Sequence, residues 1–189
     1  MLILASASPR RADLLREAGI AVEIHPAHVN EDVQPGESPE AYVRRVAEAK
    51  ARAVSERMPG RFVLAADTAV VVDGEILGKP ADEEDAARML RLLSGRAHLV
   101  ISAVCLMKDG QPVVPTEVES TVVEFAALTA PQIGWYVASG ESMDKAGGYG
   151  IQGLASRFVT RIAGSYTNVV GLPVAVVCRM CTQAGLLLS

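Results

Sequence analysis

Phe62–Pro80 reads FVLAADTAVVVDGEILGKP. An apolar run delivers a carboxylate, Asp67, at its end, and Thr68 follows at once. A second apolar run leads to Asp73-Gly74, and then to Lys79 held between Gly78 and Pro80. An Asp-Gly pair between apolar runs predicts a tight hairpin turn, because both residues tolerate the backbone that such a turn needs. The hairpin can fold an acid and a base back toward one site, so this stretch is the expected catalytic centre.

The rest of the chain is large enough to surround it. The 189 residues sit near the upper end of one domain, roughly 100–200 residues, so a single two-lobed domain over 1–189 and two domains are both open on length. Half of them are hydrophobic and 21% are charged, enough to bury a full core and too apolar for general disorder. The formal charge of −4 argues against a nucleic-acid-coating protein, which needs a basic surface, but leaves room for a small anionic ligand held by a few local cations. Cys105, Cys178 and Cys181 are sparse and odd in number, which suits a reduced cytoplasmic protein. Cys178-Arg-Met-Cys181 has the spacing of a redox or zinc pair, yet no second pair completes a zinc site, and the thiols are expected to pack. Met1–Ala7 is short and runs straight into Ser8-Pro9-Arg10-Arg11, so no signal peptide is expected, and no apolar run approaches the roughly 18 residues of a membrane span.

Outward from the hairpin, the pattern alternates strands and helices. Leu2–Ala5 is expected to be a buried strand, and Ser8-Pro9 to open a helix that closes near Gly19. Arg10 and Arg11 fall in that helix's first turn, where the macrodipole disfavours cations. They make an anion site beside free N–H groups, or two solvated surface residues. Ile20–Ile24 reads as a strand and His25–Ser38 as a loop carrying Glu31-Asp32, which could serve a divalent cation or be solvated. Ser38-Pro39 opens a helix whose apolar face runs through Tyr42, Val46, Ala49 and Ala53, with Lys50 at its edge. Asp82 caps a helix ending at Gly95. His98–Met107 and Thr116–Phe125 are expected to pair as an antiparallel hairpin. Thr129 and Gln132 have capping-box spacing for a helix to about Ser139. Gly140–Gly153, GESMDKAGGYGIQG, is a glycine-rich loop: a flexible connection, or backbone exposed for close approach to a ligand. Phe158–Ile162 is a strand, Gly164–Asn168 a turn and Pro173–Ala184 the closing helix.

Only four of the 18 basic residues are lysines: Lys50, Lys79, Lys108 and Lys145. Three of them lie in the stretches already suspected, as if a compact ammonium were required there. Neither a P-loop nor a G-x-G-x-x-G after the first strand is present. No histidine has an obvious partner nucleophile. Cations, carboxylates and a hydroxyl remain, a set suited to phosphoryl chemistry on a small nucleotide.

Ser6-Ala-Ser8-Pro9-Arg10-Arg11, Ala66-Asp67-Thr68 with Gly78-Lys79-Pro80, Asp144-Lys145-Ala146-Gly147 with Tyr149-Gly150-Ile151-Gln152-Gly153, and Gly164-Ser-Tyr with Val170-Gly171-Leu172-Pro173 resemble the Maf family of nucleoside triphosphate pyrophosphatases. The resemblance spans essentially the whole chain. It implies an α/β fold with a long mixed twisted sheet flanked by helices, and two lobes around a cleft, similar to inosine triphosphate pyrophosphatases. It further implies hydrolysis of a nucleoside triphosphate to monophosphate and pyrophosphate with Mg²⁺ or Mn²⁺. Asp67 would then be the general base and, with Glu31, a metal ligand. Ser8, Arg11, Lys50, Lys79 and Lys145 would hold phosphates, while Arg10, Thr68 and Gln152 fall at positions tied to substrate choice. Asp-Thr resembles the branch acting on dTTP and UTP, whereas the branch acting on 7-methyl-GTP has Asp-Gln there. Asp67, among cations, is expected to stay ionised and to act by positioning water. A nucleotide-binding inhibitor of septum formation and a thiol redox protein are the alternatives from other classes. The apolar C-terminal stretch and the resemblance together make a homodimer the expected assembly.

Overall fold

The computed structural model describes residues 1–187. Its sheet runs β2-β1-β3-β5-β7-β8, with β4 beside β3 and β6 beside β5. The strands are β1 (Leu2–Leu4), β2 (Val22–Ile24), β3 (Phe62–Val72), β4 (Glu75–Leu77), β5 (Ala97–Lys108), β6 (Gln111–Pro112), β7 (Glu117–Phe125) and β8 (Val159–Ala163). β1 pairs in parallel with β2 and β3, while β3–β4, β5–β6 and β7–β8 are antiparallel. The expected mixed α/β sheet is therefore present. Parallel neighbours need crossover helices, and two supply them: α1 (Pro9–Glu17) between β1 and β2, then α2 (Pro39–Ser55) between β2 and β3.

Contacts divide the chain into two compact units. The first contains Met1–Thr68, Ser102–Glu119 and the chain from Gly171 onward, including α6 (Val174–Gln183). Ile3, Leu4, Leu15, Val43, Val46 and Leu64 are sealed from solvent in its core. The Ser38 hydroxyl accepts from the Ala41 N–H at 3.3 Å and starts α2 as expected. The buried stripe of α2 is Tyr42, Val43, Val46, Ala47, Lys50, Ala51 and Val54, not the Tyr42-Val46-Ala49-Ala53 face expected. Lys50 lies four residues from both Val46 and Val54, so it stands in the middle of the stripe rather than at its edge. At α1 the Ser8 side chain makes no cap. Its backbone N–H instead donates to the Ser6 hydroxyl at 3.2 Å.

The second unit contains Ala69–Ile101 and Ser120–Val170. Val72 faces Glu75 across the Asp73-Gly74 turn, where both residues have positive φ, 50° and 82°. The predicted hairpin forms. Helix α3 (Glu83–Leu93) begins where the Asp82 side chain accepts from the Asp85 N–H at 2.8 Å, and buries Ala86, Met89, Leu90 and Leu93. Helix α4 (Ala130–Ala138) begins with the Thr129–Gln132 capping box. Its Tyr136 meets Phe158 edge-on in the core. β5 and β7 are sheet neighbours, and the Phe125 N–H donates to the Arg96 carbonyl, as an antiparallel pair requires. β6 lies between them in sequence and pairs with the end of β5. Two expected irregular stretches hold short helices: α5 (Tyr166–Val170) starts inside the expected turn, and Ala146–Gly148 forms a 3₁₀ turn within the glycine-rich loop.

Candidate active site

In the first unit β3 carries Asp67 inside the protein, 4% exposed, and α2 aims Lys50 at it. Lys50 Nζ lies 2.8 Å from Asp67 Oδ1 and 3.0 Å from Glu31 Oε1. One ammonium thus joins two carboxylates from segments far apart in sequence. The loop holding Glu31 is fastened to α2. The Tyr42 hydroxyl donates to the Glu31 carbonyl at 3.0 Å, and Arg45 binds both the Asp32 carbonyl and the Glu37 carboxylate. Of the adjacent acids Glu31 and Asp32, Glu31 brings its carboxylate to Lys50. Asp32 is tied through its backbone, with its N–H on the Asn30 side chain at 2.7 Å.

Asp67 Oδ2 is buried and has no hydrogen-bond partner in the protein. A buried carboxylate oxygen left this way carries a desolvation cost, so it marks a place built for something else. Burial pushes the Asp67 pKa above its ordinary value, against the downward pull of Lys50 and Arg11, with Glu31 adding a smaller upward push. The neighbouring cations offset this rise without reversing it. Burial wins because the carboxyl has lost nearly all contact with water. A carboxylate with a raised pKa is the better proton acceptor.

Arg11 is also buried, on the side of α1 that faces β3. Its Nε donates to the Gly171 carbonyl at 2.8 Å, and one terminal nitrogen to the Ala66 carbonyl at 2.8 Å and the Ser6 hydroxyl at 3.2 Å. The other terminal nitrogen donates to Thr68 Oγ1 at 3.1 Å. Desolvation lowers its pKa, partly offset by Asp67 and Glu31. The expected anion clamp is therefore a guanidinium whose fork ties α1, β3 and the Gly171 turn together. Thr68 Oγ1 lies 2.8 Å from the Ser102 hydroxyl and 3.2 Å from the Gly171 carbonyl. A hydroxyl has one proton and two lone pairs. Arg11 fills one lone pair, the proton goes to Gly171, and Ser102 donates to the second lone pair. Thr68, at a position tied to substrate choice, spends its hydroxyl on protein partners. Ser8 and Arg10 are half-buried at the start of α1.

Lys79, Lys145 and Gln152 belong to the second unit. Lys79 is exposed on the Gly78–Pro80 turn, which is fixed by the Gly147 N–H donating to the Gly78 carbonyl at 3.0 Å. A Cβ on Gly147 would meet Val70 at 2.9 Å, and its φ of 67° already favours glycine, so this glycine is needed for close approach. Lys145 Nζ binds the Glu141 carbonyl at 2.5 Å and Asp144 Oδ1 at 2.6 Å. Gln152 is exposed.

Sequence reasoning missed the part played by Ser102. Its signal was present: it is the one hydroxyl in the apolar run of β5, where an isolated polar residue needs a partner. Cys181 is buried and Cys178 half-buried, and both are free thiols, in keeping with packing. Among the described residues no cluster of three or more His, Cys, Asp or Glu is arranged to hold a metal. Protein ligands to any cation would come from the Asp67–Glu31 pair.

A family model described as Maf-like protein matches residues 1–184. A dTTP/UTP pyrophosphatase of Koribacter versatilis (strain Ellin345) is 54% identical, covering 98% of this chain and 95% of its own length. Proteins of the same description from Anaeromyxobacter sp. (strain Fw109-5) and Symbiobacterium thermophilum are each 53% identical over 97% of this chain. Among solved structures, a HAM1 protein from Coxiella burnetii superposes with a TM-score of 0.46 at 18% identity, covering 67% of this chain and 73% of that one.

Proposed function

The chain belongs to the Maf-like protein family, and on that premise we propose that it hydrolyses nucleoside triphosphates, dTTP and UTP foremost, to the monophosphate and pyrophosphate. The observation that carries this reading is the buried Asp67, with one oxygen on Lys50 and the other unpartnered. It supplies a proton acceptor of raised pKa beside a cation, the two groups that water attack on a phosphate needs.

The unpartnered Asp67 Oδ2 and the half-exposed Glu31 carboxylate are hard oxygen donors, which fit Mg²⁺ or Mn²⁺ with the remaining positions left to water and phosphate oxygens. When bound, such an ion neutralises phosphate charge and makes a nearby water more acidic. Asp67 orients the attacking water toward the α-phosphorus and takes its proton. Lys50, which stands beside both carboxylates, meets the negative charge that develops on phosphate oxygens. Ser8 and Arg10 at the start of α1 hold the polyphosphate and the departing pyrophosphate, and the family pattern gives phosphate contacts to Lys79 and Lys145 as well. Arg11 adds fixed positive charge from beneath. Gln152 reads the base, since its amide offers both the donor and the acceptor that a pyrimidine edge requires. Thr68 affects substrate choice by setting Arg11.

Three free thiols suit a reducing compartment, so we place the enzyme in the cytoplasm. No helix among the described residues is long and apolar enough to cross a membrane. The decisive assay is a panel of triphosphates with pyrophosphate detection. Release of pyrophosphate from UTP and dTTP well above 7-methyl-GTP and the purine triphosphates is expected. Faster turnover of 7-methyl-GTP, or release of single phosphates, would overturn the reading.

A further inference from the structure

We propose that Glu141, acting with Tyr136, is a positioning residue for base selection: together they fix the Gly150–Leu154 turn that presents Gln152. This rests on the reading above that Gln152 meets the base.

The turn is held at both ends by one connected set of bonds. At its start the Gly150 N–H donates to the Tyr136 hydroxyl at 3.3 Å. At its end the Leu154 N–H donates to Glu141 Oε2 at 2.9 Å. The Tyr136 hydroxyl donates to Glu141 Oε1 at 3.1 Å and closes the ring between the two ends. Within the turn the Gly153 N–H returns to the Gly150 carbonyl. Gln152 lies between these anchored points and is exposed.

Each anchor is itself fixed. Tyr136 is sealed from solvent on α4 and packs edge-on against Phe158, so its hydroxyl cannot swing. Burial and the neighbouring Glu141 carboxylate push the Tyr136 pKa up, which keeps it a donor. The Glu141 carbonyl accepts from Lys145, which fixes the backbone from which the carboxylate extends. Glycine at 153 is part of the device, because a Cβ there would occupy the place of the Glu141 carboxylate. Gly150 likewise leaves room for the Lys145 stem, which a Cβ would meet at 2.5 Å. The glycine-rich stretch is thus a mount in which missing side chains make room for a carboxylate and a lysine stem. A buried aromatic hydroxyl plus a charge-assisted hydrogen bond is a costly way to fix a surface turn that does nothing. An exposed amide that must discriminate donor from acceptor needs such a mount, because misplacement by a rotamer exchanges the two.

The test compares kcat/KM for UTP with that for 7-methyl-GTP in the wild type, Glu141→Ala, Gly153→Ala, Gln152→Ala and the Glu141→Ala/Gln152→Ala pair. Gly153→Ala leaves the carboxylate in the chain but removes its seat, and decides the matter if Glu141→Ala fails to fold. The preference for UTP is expected to fall about tenfold in each single variant, the loss typical of a hydrogen bond to a charged group. It should fall no further in the double variant, because Glu141 acts through Gln152. Hydrogen exchange at the Leu154 amide should quicken in both clamp variants. Unchanged preference in Glu141→Ala and Gly153→Ala, or additive losses in the double variant, would overturn the clamp while leaving the pyrophosphatase reading intact. A wild-type protein that releases no pyrophosphate from UTP would overturn both.

Discussion

The hydroxyls of Ser102 and Thr68 lie 2.8 Å apart on neighbouring strands, and Thr68 is at the same time an acceptor for the buried Arg11 guanidinium. Substitution at position 68 is therefore felt first by an arginine. Thr68→Val keeps the shape, removes the acceptor and leaves a buried charged donor unsatisfied. It is expected to cost about 1–3 kcal/mol of stability in urea unfolding as well as catalytic efficiency. Thr68→Ser should retain most of both. Altered base preference in Thr68→Val with stability unchanged would show that Thr68 reads the base directly.

Removing Lys50 leaves Asp67 and Glu31 facing one another without their shared cation. Lys50→Met is expected to destabilise the protein by about 3–5 kcal/mol, as for other broken buried pairs. Adding Asp67→Asn should recover part of that loss, since the uncompensated charge goes with it. In the metal-free wild type, the Asp67 carboxyl followed by NMR should titrate above its ordinary range, because burial raises its pKa. In any Lys50→Met protein that stays folded it should move higher still, since Lys50 is the largest lowering influence. Additive losses in the double variant would contradict the coupling.

His98 gives stability a pH dependence of its own. It is buried, with Nε2 2.7 Å from the Tyr149 hydroxyl, and desolvation lowers its pKa from 6.5 to about 4. Below pH 6.5 the unfolded chain takes up a proton that the folded chain refuses until about pH 4. Stability is therefore full above that window and falls through it as pH drops, by about 3 kcal/mol in all. His98→Gln should flatten this part of the urea-midpoint profile relative to wild type. Asp67 remains in both proteins, so its opposite influence cancels in the comparison. Parallel profiles would contradict the assignment.

Cation binding can be read without turnover. Free Mn²⁺ followed by electron paramagnetic resonance should decrease on adding wild-type protein with a nonhydrolysable UTP analogue. The affinity should weaken at least about tenfold in Asp67→Asn and in Glu31→Gln. EDTA should abolish pyrophosphate release, and Mg²⁺ restore it. Equal Mn²⁺ affinity in all three proteins would remove Asp67 and Glu31 as ligands.

Much of this architecture was legible because its signals are local. Asp73-Gly74, Thr129 with Gln132, and Asp82 before three acids each dictate their turn or cap through neighbouring atoms. The Lys50–Asp67 pair was legible only as two suspect residues, because the meeting of α2 with β3 is a tertiary event. The periodicity of α2 misplaced Lys50 at the edge of the stripe, since alanines at 49 and 53 read as core and a lysine does not. The raised Asp67 pKa could not be read from composition, because its sign turns on burial against cation proximity. The Ser102–Thr68–Arg11 and Tyr136–Glu141 bonds were hidden for a similar reason: polar side chains announce a need for partners when buried, but the sequence does not say which ones.

Asp67 accepts the proton of the attacking water in the mechanism proposed above. Asp67→Asn preserves size and an oxygen for Lys50 but cannot take that proton. Pyrophosphate release from saturating UTP with Mg²⁺ should fall about a thousandfold, within the range supplied by a positioned general base. A turnover number within about tenfold of wild type would contradict that role.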